Sequence, residues 1–255
     1  MTENIILKEL NGHVALLTLN RPNEMNALNC ELMLAIKREI EACDQDGEVR
    51  VVVLTGAGDR AFCAGVDLKE RAAMTEEEVM ESRRAAVKPC YDVFRAISTP
   101  VIAAVNGIAL GGGAELALAC DIRLASHNAR FGHPEIRWGM IPAAGAHQRI
   151  RNLVGLGVAK EIMLTGRTLE ADEVHRLGIY NHVYEPKQLM PEALAVAHVI
   201  AAHQPLAVRQ SKRVLDDWAY DDAAFEAEYE ASKACYEEGS ALAGPKSFKR
   251  AGKAS

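Results

Sequence analysis

The chain predicts an α/β fold, a core of parallel strands joined by helical crossovers and followed by a helical tail. Two wholly apolar runs, Val51–Leu54 and Val101–Val105, have the composition of strands buried on both faces. Stretches of helical period alternate with them, which is the β-α-β order of parallel strands joined by right-handed crossovers. From about residue 155 the strand signal fades and helical signals follow one another to the end.

In chain order, Ile5–Leu10 and His13–Leu19 are β-rich runs parted by Asn11-Gly12, a two-residue hairpin signal. Ala27–Ala42 places Leu28, Leu32, Ile36 and Ile40 at four-residue steps along one side of a helix. After the first buried strand, Glu76–Ile97 reads as a helix kinked or broken at Pro89. The second buried strand leads into three adjacent glycines, a short helix Ala114–Ala119 and a strand Asp121–Ala125. Ala159–Leu164, Ala171–Leu177, Pro191–Ala202, Pro205–Trp218 and Asp222–Tyr236 read as helices, several of them beginning at Pro or after Asp. The expected division is a core over 1–190 and a helical subdomain over 191–255.

The 255 residues are 49% apolar and 25% charged, enough for a sizeable core. A net charge of −6 with no basic cluster argues against a nucleic-acid surface. Cys30, Cys43, Cys63, Cys90, Cys120 and Cys235 form neither a C-x-x-C pair nor a framework spacing, as expected of free thiols in a reducing compartment. The chain begins without a signal-like or transit-like segment, and no apolar run approaches the roughly 18 residues of a membrane span. A cytoplasmic protein without membrane partners is expected.

Two carboxylates carry most of the chemical information. Glu115 closes Asn106-Gly-Ile-Ala-Leu-Gly-Gly-Gly-Ala-Glu115, in which Gly111-Gly112-Gly113 feed directly into an apolar helix. Such a turn brings free first-turn amides and a partial positive charge close to a ligand. Glu135 lies in Phe131-Gly-His-Pro-Glu135, ahead of a second small-residue turn, Pro142-Ala-Ala-Gly-Ala. Two carboxylates near one buried point can divide acid and base roles on a single water. A further turn, Ala64-Gly65, follows the first buried strand and can supply a second amide to the same oxygen.

Other motifs fail. No Gly-Lys-Ser/Thr follows the glycines, and Leu116 interrupts Gly-x-Gly-x-x-Gly. His133-Pro-Glu135 lacks the Pro-Cys-x-x-Cys of zinc deaminases. The histidines show no metal spacing, and there is neither His-Glu-x-x-His nor Gly-x-Ser-x-Gly.

Arg21-Pro-Asn-Glu-Met-Asn-Ala-Leu28, Ala61-Phe-Cys-Ala-Gly-Val-Asp-Leu68, Asn106–Ile122 and Phe131-Gly-His-Pro-Glu135 with Ile141-Pro142 resemble the crotonase (enoyl-CoA hydratase/isomerase) family, in its order and spacing. The resemblance implies a crotonase-like spiral of repeated β-β-α units with a C-terminal helical trimerisation subdomain, hence a homotrimer or a dimer of trimers. It also implies an acyl-CoA thioester substrate, with coenzyme A entering as part of the substrate and no separate cofactor or metal. Carried over, the amides of Val66 and Gly112 form the oxyanion hole and Glu115 and Glu135 are the catalytic acids. Met25, Ala27 and Ala64 lie alongside the coenzyme. Asp67, Leu68 and Lys69 line the pantetheine and nucleotide path, with Lys69 near phosphate.

Retention of both glutamates favours addition of water to a trans-2-enoyl-CoA. The alternatives are Δ3–Δ2 isomerisation or dehydration of a specialised hydroxyacyl-CoA on the same scaffold, and a non-catalytic acyl-CoA-binding subunit. The chain departs from the family pattern at Ala143, where glycine is frequent, and at Arg137 and Trp138, where aliphatic residues are usual. Its tail departs too, so no coenzyme contact is carried over to Phe248 or Lys249.

Overall fold

A computed structural model of the chain describes residues 4–219 and 221–237. Phe248, Lys249 and the end of the expected helical subdomain therefore lie outside the described residues. The chain opens with an antiparallel hairpin, β1 (Ile6–Asn11) and β2 (Val14–Leu19), turning at Gly12 as the Asn-Gly signal predicts. Helix α1 (Cys30–Gln45) follows, capped by Asn29, whose side chain accepts from the Leu32 amide. It starts three residues later than its periodicity predicts. Met25 and Asn26 adopt left-handed backbone, and Leu28 is held in a β-bridge with Val66, so the chain cannot yet coil.

From there the chain repeats one step three times: a longer strand in one sheet, a tight turn, then a three-residue strand in another. The pairs are β3 (Val51–Gly56) with β4 (Ala61–Cys63), β5 (Val101–Val105) with β6 (Ile108–Leu110), and β7 (Ile122–Ser126) with β8 (Arg130–Gly132). Helices α2 (Leu68–Arg71), α3 (Glu76–Ser82) and α4 (Lys88–Ala96) follow the first pair, and α5 (Gly112–Ala119) the second. After the third come α6 (Ala146–Thr165), β9 (Thr168–Glu170), α7 (Ala171–Arg176), β10 (His182–Tyr184) and α8 (Pro186–Ala201), then α9 (Pro205–Ala219) and α10 (Asp222–Glu237). One sheet has the order β1-β2-β3-β5-β7-β10 and is parallel apart from the hairpin; the second is β4-β6-β8-β9.

The buried strands are apolar throughout because both faces are covered. Val52, Leu54, Val101, Ala103 and Val105 join the core beneath α1, α4 and α5. Val51, Val53, Ile102, Ala104 and Leu124 face Leu189, Ala193, Ala197 and Ala201 of α8. The expected division at residue 190 falls inside this helix, which spans Pro191.

Three expectations are corrected. Strands do not fade after residue 155, since β9 and β10 close the edges of the two sheets; three-residue strands leave no readable alternation. The break in Glu76–Ile97 precedes Pro89 as a π turn, Arg83–Val87, where the Lys88 amide bonds back to Arg83, and Pro89 sits in the first turn of α4. The helix read at Ala159–Leu164 begins at Ala146 and bends where Gly155 leaves helical geometry. No described helix is long and apolar enough to cross a membrane.

Candidate active site

The short strands bring the small-residue turns together. After β4, Gly65 and Asp67 exchange backbone bonds with Leu28 at 2.8 and 2.9 Å. In such a bridge the residue between them, Val66, directs its own N–H the other way. A Cβ at Gly112 would lie 3.4 Å from Val66 Cγ2, and one at Gly65 would lie 3.4 Å from the Gly112 nitrogen, so the two turns are neighbours. Gly112 opens α5, with Gly111 as its N-cap at φ 53°, and a first-turn amide has no intrahelical acceptor. Gly113 permits the approach: a Cβ there would lie 1.9 Å from the Cys63 carbonyl oxygen. Beneath the turn, the buried Tyr91 hydroxyl donates to the Gly112 carbonyl at 2.7 Å.

Val66, Gly112, Glu115 and Glu135 line one cavity of about 350 Å³, together with Ala64, Leu68, Trp138 and Ala143. Glu115 lies in the first turn of α5, 6% exposed, and its Oε1 accepts from the amides of Ala143 and Ala144 at 3.1 and 2.8 Å. Burial, then the charges of Glu135 and Glu228, push its carboxyl well above the ordinary carboxylate range, against the opposing amide bond from Ala144. Glu135 is carried on a 3-10 turn, Pro134–Trp138, and its Oε1 lies 3.2 Å from where a Gly111 Cβ would be. Neither oxygen of Glu135 has a hydrogen-bond donor among the described residues, and His133 Nδ1 stands 3.7 Å away. The pair is therefore one carboxyl group held by amides and one with open lone pairs, aimed at the same space.

A second cavity of about 280 Å³ shares Ala64, Val66 and Leu68 with the first and is also lined by Met25, Ala27, Asp67 and Lys69. All the residues expected along the coenzyme path thus border these two adjoining spaces. Asp67 has other commitments: it caps α2 through the Lys69 and Glu70 amides and pairs with Arg21 at 3.0 Å. These contacts hold its carboxyl below the usual range despite burial, which acts the other way.

Sequence reading missed several residues. Arg60 joins Lys69 as an exposed cation on the second cavity. Arg71, Arg83 and Tyr236 line the first. Their signal was absent, because an arginine on a charged helix reads as solvated. Glu228 of α10 accepts from the Gly145 and His147 amides at 2.5 and 2.9 Å, closing the start of α6 behind Glu115.

A family model described as enoyl-CoA hydratase/isomerase matches residues 9–254. A putative enoyl-CoA hydratase/isomerase of Bacillus subtilis is 44% identical over 224 residues, covering 88% of this chain and 86% of that protein. A short-chain-enoyl-CoA hydratase of Clostridium acetobutylicum is 42% identical over 218 residues, covering 85% and 82%. The crystal structure of an enoyl-CoA hydratase from Bacillus anthracis superimposes with a TM-score of 0.83 at 36% identity, covering 97% of this chain and 96% of that one. With a matching family model spanning nearly the whole sequence, and relatives of this similarity sharing its fold, the chain belongs to the enoyl-CoA hydratase/isomerase family of the crotonase superfamily.

Proposed function

We propose that the protein is an enoyl-CoA hydratase, adding water reversibly to a trans-2-enoyl-CoA to give a 3-hydroxyacyl-CoA. The observation that carries this is the pairing of buried Glu115 with Glu135, whose carboxylate oxygens are buried, on one cavity beside the backbone of Val66 and Gly112. The named hydratases among its relatives support it. In this reading the thioester carbonyl accepts from the Val66 and Gly112 amides, and the α5 N-terminus stabilises the enolate that forms as oxygen adds to the β-carbon.

In this reading the two carboxyl groups work as one ionised and one protonated member. The ionised member takes a proton from water as the hydroxyl bonds to the β-carbon. The protonated member gives its proton to the α-carbon, and the pair resets by passing the proton back. Atoms and charge balance without a metal or redox cofactor, with coenzyme A supplied as part of the substrate. Arg60 and Lys69 suit the coenzyme phosphates. We further infer assembly as a homotrimer or a dimer of trimers, in a reducing, cytoplasmic setting that suits six cysteines outside any disulfide.

Loss of the conjugated enoyl thioester absorbance with crotonyl-CoA tests the reading. Glu115→Gln and Glu135→Gln should each lower kcat by at least ~10²-fold, the scale of general acid–base groups, with little change in binding. Near-full activity in either variant overturns the two-carboxylate mechanism. An isomerase would instead need one of the two acids alone, and a non-catalytic subunit would show no turnover.

A further inference from the structure

The first cavity contains more positive charge than hydration of a simple enoyl chain needs. Arg83 is 5% exposed and Arg71 7% exposed, and both line the space that holds Glu115 and Glu135. Neither forms an ion pair among the described residues. Arg83 donates through Nη1 to Ser232 Oγ at 3.0 Å, while its Nε and Nη2 are buried without an acceptor among the described residues. Its guanidinium packs over the rings of Tyr229 and Tyr236, at 5.0 and 4.8 Å. Among the described residues Arg71 makes one long hydrogen bond, from Nη1 to Ser82 Oγ at 3.4 Å.

A buried guanidinium with unmatched donors is costly. Ring faces attract the cation without accepting its in-plane N–H groups. Such donors are matched by a planar anion, and a carboxylate accepts two parallel N–H bonds. The anion is not a coenzyme phosphate, because the cations suited to that role, Arg60 and Lys69, border the other cavity. Resting on the hydratase reading, we propose that the acyl group of the substrate carries its own carboxylate, so that the substrate is the monothioester of an unsaturated dicarboxylic acid, with Arg83 and Arg71 as the residues that select it. A chamber of about 350 Å³ suits a short acyl chain of this kind.

The test compares glutaconyl-CoA, a five-carbon trans-2-enoyl thioester with a terminal carboxylate, with its neutral ω-methyl ester and with crotonyl-CoA. The wild type should favour the acid over the ester by about 10- to 150-fold in kcat/KM, the range of a charge-assisted bond. Arg83→Met and Arg71→Met should each bring that ratio toward one, and Arg83→Lys should keep part of it. The ratio is internal to each variant, so partial destabilisation cancels. Hydration of crotonyl-CoA with an acid-to-ester ratio of one or less in the wild type would sink the inference and leave the hydratase reading standing. If no enoyl thioester is hydrated, the hydratase reading fails, and calorimetric affinities for glutaryl-CoA and pentanoyl-CoA decide the carboxylate site alone. Tighter glutaryl-CoA binding upholds it, and equal binding overturns it.

Discussion

At the scale of single residues, Glu115 is where burial and chemistry pull against each other. Its folded-state carboxyl titrates well above its ordinary value of 4.5, through burial first and the charge of Glu135 second. A raised folded pKa means that the native state holds a proton the unfolded chain has released. Its contribution to stability is full below the unfolded value and is lost as pH rises through the folded one. Denaturation followed across pH should therefore show a loss of stability with rising pH that Glu115→Gln removes. The same shift puts the upper limb of the kcat/KM profile above the carboxylate range, and Glu135→Gln should move the titration of Glu115 down, as carboxyl carbon NMR would report. Trp138 lies on the cavity wall, as Arg137 does. Trp138→Leu should raise kcat/KM for enoyl chains two or three methylenes longer, relative to crotonyl-CoA, by about ten- to fiftyfold at roughly 0.8 kcal/mol per methylene. Superimposable chain-length profiles would show that the indole does not limit the substrate.

Among the elements, α5 shows how close packing sets a site. Alanine ordinarily stabilises a helix relative to glycine by about 1 kcal/mol. At Gly113 the sign reverses, because the added methyl would meet a backbone carbonyl 1.9 Å away. Gly113→Ala should cost about 3 kcal/mol or more in urea unfolding and distort the Gly112 amide with it. Gly157, in α6, meets nothing within 4 Å, and Gly157→Ala should gain a few tenths to about 1 kcal/mol. Equal effects at the two positions would show that α5 does not need its close approach to β4. The turns between the paired strands are tied by Asn106, which donates to the Gly56 and Gly58 carbonyls at 2.9 and 2.8 Å. Asn26 adds bonds to the Ala57 and Ala61 carbonyls. These side-chain bonds replace the regular ladder where the chain passes from one sheet to the other.

For the whole molecule, the outer helices expose apolar side chains that a single copy leaves uncovered. Leu206, Val214 and Leu215 of α9 are 66%, 52% and 71% exposed, and Leu156, Leu164 and Val199 are exposed on α6 and α8. Isolated exposed leucines are ordinary, but several on the outer helices favour association. Sedimentation at micromolar protein should give a mass of three copies or a multiple of three. A species of 27.7 kDa, one chain, would rule out the trimer-based assembly. Leu215→Glu should weaken association while leaving the buried strands intact.

The local pattern was enough for the hairpin at Asn11-Gly12, the buried runs Val51–Leu54 and Val101–Val105, and the turns that carry Glu115 and Glu135, because each depends on nearest neighbours or on a short period. The family resemblance added the grouping of Val66, Gly112 and the two glutamates. The second sheet could not be read that way. Its strands are three residues long, and pairing with β6 and β8, rather than propensity, makes them strands. The burial of Arg71 and Arg83 was equally invisible: α3, the π turn and α10 fold over one another, and only that packing makes two arginines buried cations on a cavity wall, without an ion pair among the described residues. Sequence by itself determined which residues could do the chemistry, since side-chain type and short-range spacing are local properties. Tertiary structure alone decided which charges lost their water, because desolvation depends on everything packed around a group.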